Sequence, residues 1–177
     1  MKKHLFPMGK NRGFTLVETL LVLGFAGILI AGAMGLYTVS RASTTATQLA
    51  NDIDIVSQII ERYLMGYGRP SDNTSLNPML IDSGKLPSSV RNTADTNLSN
   101  AYGGTVTTNY NAGSYTITVS GIPRSGCIAI ATALPAKWDS VTIGSGEAIT
   151  TVPMPVATAE TACDSASTSI TLTKEFF

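Results

Sequence analysis

One carboxylate interrupts the most apolar part of this sequence. Between Phe14 and Val39 the only charged side chain is Glu18. A carboxylate one turn inside a lipid-embedded helix costs roughly 2.5–3.5 kcal/mol on insertion scales. A chain that keeps it has a use for it, and that use requires a positive partner. The nearest source is an amino group made by cutting the chain before Phe14, four helix positions from Glu18. Acid and new amine together could do one kind of chemistry: charge pairing.

Other reactive side chains are few. The only histidine is His4, so a product beginning at Phe14 has no imidazole. That removes serine-histidine and cysteine-histidine nucleophile pairs, histidine-ligated zinc and histidine acid/base catalysis. Two cysteines, Cys127 and Cys163, are too few for a zinc-cysteine cluster and too far apart for a redox CxxC. Downstream of a membrane-targeting segment, such a pair reads as one disulfide formed outside the cytoplasm. Trp138, the one tryptophan, is either a surface anchor or, more in keeping with its size, a core residue. Asp139 and Glu147 flank glycine-rich chain without the spacing of a calcium loop. No Walker loop, GxGxxG or nucleophile elbow occurs. The sequence carries no enzyme signature and implies no cofactor.

The elements that would position these residues follow from the hydropathy pattern. Residues 1–13 are a basic leader with Lys2, Lys3, Lys10 and Arg12 and no acid. The positive-inside rule keeps this leader cytoplasmic and sends the chain after Val39 outward. Removing those four leaves eight basic residues against 12 acids, a charge near −4. That balance argues against a nucleic-acid partner held by phosphate contacts. Residues 14–39 form an apolar helix about 39 Å long, enough for the roughly 30 Å core of a bilayer. An ordinary secretory signal ending at Ala31-Gly32-Ala33 is the plain alternative, as is a simple uncleaved anchor. Against the signal stand the continued apolar run and the charge at Glu18.

Residues 40–66 continue as an amphipathic helix. Ala42, Ala46, Leu49, Ile53, Val56, Ile60, Tyr63 and Leu64 recur at threes and fours as one stripe, with Thr45, Gln48, Asp52 and Arg62 largely off it. Gly66, Gly68 and Pro70 mark its end. Residues 67–103 read as a connecting loop with a short helix near Leu76–Ile81. Residues 104–177 carry the sheet. A hairpin pairs Thr105–Tyr110 with Tyr115–Val119, and Ser125 caps a helix over Cys127–Leu134. Short strands follow at Val141–Ile143, Ala148–Val152 and Ile170–Thr173. The class is α+β: a long N-terminal α-helix with an antiparallel β-sheet.

The residues Gly13-Phe14-Thr15-Leu16-Val17-Glu18, behind a basic leader and ahead of an unbroken apolar helix, resemble the prepilin signature of type IV pilins and related pseudopilins. The resemblance implies cleavage after Gly13 by a membrane prepilin peptidase, N-methylation of Phe14, and polymerisation into a thin surface filament in which Glu18 sets the register of an arriving subunit. It implies the pilin fold, a disulfide that delimits a C-terminal surface region, and subunit contacts from the connecting loop. Partners would be other copies of the chain, the peptidase/N-methyltransferase and the pilus assembly machinery. The precursor would sit in the bacterial inner membrane with its domain periplasmic, and the product in an extracellular pilus. The cysteine spacing, Ser125-Gly126-Cys127-Ile128-Ala129 and Tyr102-Gly103-Gly104 look more like type IVb pilins, while Phe14 is typical of type IVa. Two functional classes follow: a filament subunit, major or minor (or a secretion pseudopilin), and a membrane-anchored binding module that never polymerises.

Overall fold

The computed structural model describes residues 15–87, 89–94, 97–164 and 167–176. The chain divides into two compact units, Met1–Val39 and Ser40–Phe177. Gly13 and Phe14 lie outside the described residues.

Helix α1 spans Leu16–Tyr67. In the first unit its 19-residue stretch Leu16–Met34 is long and apolar enough to cross a membrane, and no residue of it is buried within the chain. The helix passes unbroken through Gly24, Gly27 and Gly32, where an added Cβ would meet nothing within 4 Å.

In the second unit, the inner face of α1 is the stripe Ala46, Leu49, Ala50, Ile53, Val56, Ile60 and Leu64, all buried. Fully burying each of the larger aliphatic side chains contributes roughly 1.5–3 kcal/mol, and this burial rather than propensity holds the helix in place. Asp52 and Ser57 are buried beside the stripe. Expected off the stripe, Asp52 is instead satisfied there, since Ser89 donates its backbone N–H to Oδ2 at 3.1 Å. The helix stops where Gly68 turns left-handed (φ 84°) and donates its N–H to the Leu64 carbonyl at 3.1 Å, a backbone that glycine adopts without steric cost.

Beyond it come β1 (Thr74–Ser75), α2 (Asn77–Asp82), β2 (Arg91–Ala94), β3 (Asn97–Ser99), β4 (Thr105–Asn111), β5 (Ser114–Pro123), α3 (Arg124–Ala133), β6 (Ser140–Ile143), α4 (Val156–Ala162) and β7 (Ser167–Glu175). The antiparallel sheet runs β2-β3-β4-β5-β7-β6, with β1 also on β4. Burial alternates strictly along β4, and along β5 as far as Ser120, where a bulge between Val119 and Ile122 shifts the register. Val106 and Tyr110 of β4, Tyr115, Ile117 and Val119 of β5, and Ile170 and Leu172 of β7 belong to the same core as the α1 stripe. The opposite face is rich in threonine, with Thr118 and Thr171 hydroxyls 3.0 Å apart across strands.

Several local readings change. The segment read as a connecting loop holds β1, β2 and β3, short strands whose few residues carry no periodic signal. The stretch Ala148–Val152 forms only one bridge, Val141 to Ile149. Helix α3 starts directly after Pro123, whose extended backbone (φ −67°, ψ 156°) sets the turn with no side-chain cap, so Ser125 lies inside the helix. The terminal strand forms as read, and it sits between β5 and β6.

Gly104 is required sterically. A Cβ there would fall 1.9 Å from the Ser120 carbonyl oxygen. Asn100 secures the same turn: its Oδ1 accepts the N–H groups of Tyr102 at 2.8 Å and Gly104 at 3.2 Å, and its Nδ2 donates to the Ser120 carbonyl at 2.7 Å.

Candidate functional site: the apolar helix, a polar clamp and the disulfide

Three features carry the functional question. The first is the start of α1. Thr15 is its N-cap: the hydroxyl oxygen accepts the Glu18 N–H at 3.3 Å and the carbonyl accepts the Thr19 N–H at 3.1 Å. The Thr19 hydroxyl donates to the Leu16 carbonyl at 2.8 Å. Thr15-x-x-Glu18 thus has capping-box spacing, and an acid in the first turn is favoured by the helix dipole. Glu18 has a local helical role as well as any intermolecular one. Around it, Leu16 is 76% exposed and Leu29 72%. An apolar helix so bare within its own chain can be covered only by lipid or by other chains.

The second feature joins α1 to the sheet inside the second unit, and sequence reasoning missed it. Asp54, Ser57 and Glu61 share one flank of α1. The Asp54 carboxylate pairs with the Lys137 ammonium, which also donates to Ser57 Oγ at 2.9 Å. Ser57 Oγ lies 2.8 Å from the Tyr115 hydroxyl. Tyr115 donates to Glu61 Oε1 at 2.8 Å, and so does Lys174 Nζ at 2.8 Å. Two carboxylates face two ammonium groups. Partial burial alone would raise the Glu61 pKa, but the hydrogen bonds from Lys174 and Tyr115, with the charges of Lys174 and Lys137, outweigh it and leave the carboxyl below its ordinary value. Burial pushes the Tyr115 phenol well up, so it stays a donor. Only the spacing of 54, 57 and 61 hints at this flank in the sequence; the lysines come from 80 and 113 positions away.

The Ser57–Lys137 contact has the composition of a serine-lysine nucleophile pair. The surroundings say otherwise. Ser57 is fully buried, its oxygen is engaged with Tyr115, Glu61 and Lys137, and the ammonium is ion-paired with Asp54. No substrate can approach such a hydroxyl. The cluster is a clamp.

The third feature is the disulfide. Cys127 of α3 and Cys163, which ends α4, are joined, with Cα atoms 5.9 Å apart. Both are fully buried. Met154 donates its N–H to the Ala131 carbonyl at 3.1 Å, tying the intervening chain to α3. Trp138 is a core residue, 3% exposed and edge-on to Tyr115 with ring centroids 6.3 Å apart. Asp139 accepts the Glu175 N–H at 2.7 Å and so closes the end of β7. No cluster of three metal-ligating side chains occurs among the described residues.

Residues 39–175 match the family model described as PilS N terminal. No curated protein matches the chain. Among solved structures it is similar to the type IV b pilin from Salmonella typhi, with 18% identity, a TM-score of 0.54, and coverage of 78% of this chain and 99% of that one. It is also similar to TcpA, a type IV pilin from Vibrio cholerae El Tor biotype, with 13% identity, a TM-score of 0.51, and coverage of 76% and 99%. At these identities the likeness is one of fold.

Proposed function

The chain belongs to the PilS N-terminal family of type IV pilins, its fold is that of a pilus structural subunit, and from that premise we propose that it is a major pilin. The subunit is held in the inner membrane by α1 after cleavage between Gly13 and Phe14, Phe14 is N-methylated, and polymerisation through α1 builds a surface filament for adhesion, aggregation or cell–cell contact. One observation carries this reading: Leu16–Met34 is an apolar helix with no buried residue. Lipid satisfies that surface before assembly, and the helices of neighbouring copies satisfy it afterwards.

In this reading Glu18 is the one polar group that must be neutralised when the helix leaves the membrane surface for the polymer. The Phe14 amino group of a neighbouring subunit supplies the charge. The prepilin peptidase and the assembly machinery are the further partners. Mass spectrometry of the exported protein tests the reading: the mature form should begin with methylated Phe14 and dominate filaments sheared from cells. An intact leader on a solitary surface protein would overturn it, and a processed protein at trace abundance would make it a minor pilin or a secretion pseudopilin.

A further inference from the structure

Beside the C-terminal end of α1, where β1 and α2 follow, the second unit has an open groove of about 620 Å³. That lies within the range of roughly 300–1,000 Å³ usual for small-molecule sites. Tyr63 and Tyr67 form one wall, stacked with ring centroids 4.8 Å apart and planes at 26°. Tyr67 is 82% exposed, an unusual position for a large aromatic ring that contributes nothing to the core. Met79 adds apolar surface, and Arg62, Asp82 and Lys85 stand around the groove. None of these three charged side chains forms an ion pair among the described residues. The groove therefore combines an aromatic platform, two cations, one carboxylate and the Ser75 hydroxyl, whose oxygen accepts the Asn77 N–H at 3.4 Å and whose proton remains available.

We propose that this groove binds an acidic saccharide. A pyranose ring presents a face of C–H groups that suits the electron-rich face of a tyrosine. Its hydroxyls donate to Asp82 and exchange hydrogen bonds with Ser75. Its carboxylate complements the excess positive charge of Arg62 and Lys85. A purely apolar ligand would desolvate three charges without return. A polyphosphate would meet the Asp82 carboxylate and find no use for the stacked rings.

Binding is read on the unpolymerised protein, so its test leaves the pilin reading untouched. Full-length protein in lipid nanodiscs is titrated with a tetragalacturonate and, separately, with neutral maltotetraose, using calorimetry and saturation-transfer NMR. Tetragalacturonate should bind, with saturation transfer at ring protons, and maltotetraose several-fold more weakly. Tyr67→Ala and Arg62→Glu should each lower tetragalacturonate affinity about tenfold. Both side chains are exposed, so the thermal midpoint should not move; it serves as the folding control for each variant. No binding of either sugar, equal affinity for both, or full affinity in folded Tyr67→Ala overturns the proposal.

Discussion

Asn77 stands at the edge of β4 in the gap between β1 and β3, and its amide makes the bonds a strand would make there. Nδ2 donates to the Val106 carbonyl at 3.1 Å, while Oδ1 accepts the Thr108 N–H at 3.0 Å and the Thr108 hydroxyl at 2.7 Å. All of this is buried. Replacing Asn77 with alanine leaves two buried backbone groups and a hydroxyl without partners, at about 1–3 kcal/mol each where water cannot enter. Asn77→Ala should therefore lose on the order of 3 kcal/mol in urea unfolding, and a loss under about 1 kcal/mol would show that water substitutes. Nothing in Leu76-Asn77-Pro78 announces this role, because the partners lie about thirty positions away and the local signal is only that of a turn. Glu18 is the opposite case, legible from its charge alone, yet its structure offers two roles. Glu18→Gln keeps the length and polarity of the side chain and removes its charge; Glu18→Val removes the polar group as well. Pairing with a neighbour's amine requires that both variants insert normally and that both yield few sheared filaments. Normal filament yield from Glu18→Gln would assign Glu18 to the capping of its own helix.

Among elements, α1 was the most legible and the connecting region the least. A stripe at threes and fours is written in the sequence wherever one helix face meets a core, as Leu49, Ile53, Val56, Ile60 and Leu64 show. The hairpin of β4 and β5 was legible for the same reason at period two. Strands β2 and β3 were not, since segments of four and three residues hold too few alternations to stand out. The insertion of β7 between β5 and β6 is a matter of topology, which periodicity does not encode. The clamp was missed because it lies between elements. Its pH dependence follows from Glu61, whose carboxyl is held below its ordinary value of 4.5. A carboxyl with a depressed folded-state pKa contributes stability that is fully present above the unfolded value and is lost as pH falls through the folded one. The thermal midpoint should accordingly fall as pH drops below about 4.5, and Glu61→Gln should flatten part of that fall while lowering stability near neutrality. Parallel curves for wild type and Glu61→Gln would remove the clamp from the acid response. Because these pairs are partly exposed, moderate salt should also weaken the contribution.

At the scale of the molecule, the division at Val39/Ser40 separates two kinds of stability. Every buried hydrophobic residue among those described, from Ala46 to Leu172, lies in the second unit, as do the clamp and the disulfide. The first unit has a helix without a core. A fragment comprising residues 40–177 should therefore fold alone, as a monomer with the sheet and the Cys127–Cys163 bond intact. Discarding the leader and Glu18 leaves eight basic residues against 11 acids, a net negative charge that favours solubility. Its amphipathic helix, about 28 residues long, draws its stability from packing of its apolar face more than from propensity. Within the fragment it is held by the sheet, so the helical and sheet signals in circular dichroism should melt together in one transition. Reduction under native conditions should be slow, since both sulfur-bearing residues are fully buried and thiolate attack requires access. The same fragment should be unable to form or join filaments, because the surface that lipid or neighbouring helices must cover is gone. A molten or aggregated fragment would mean that the apolar helix takes part in folding the domain. A well-folded fragment that still polymerises would move assembly away from α1 and onto the sheet domain.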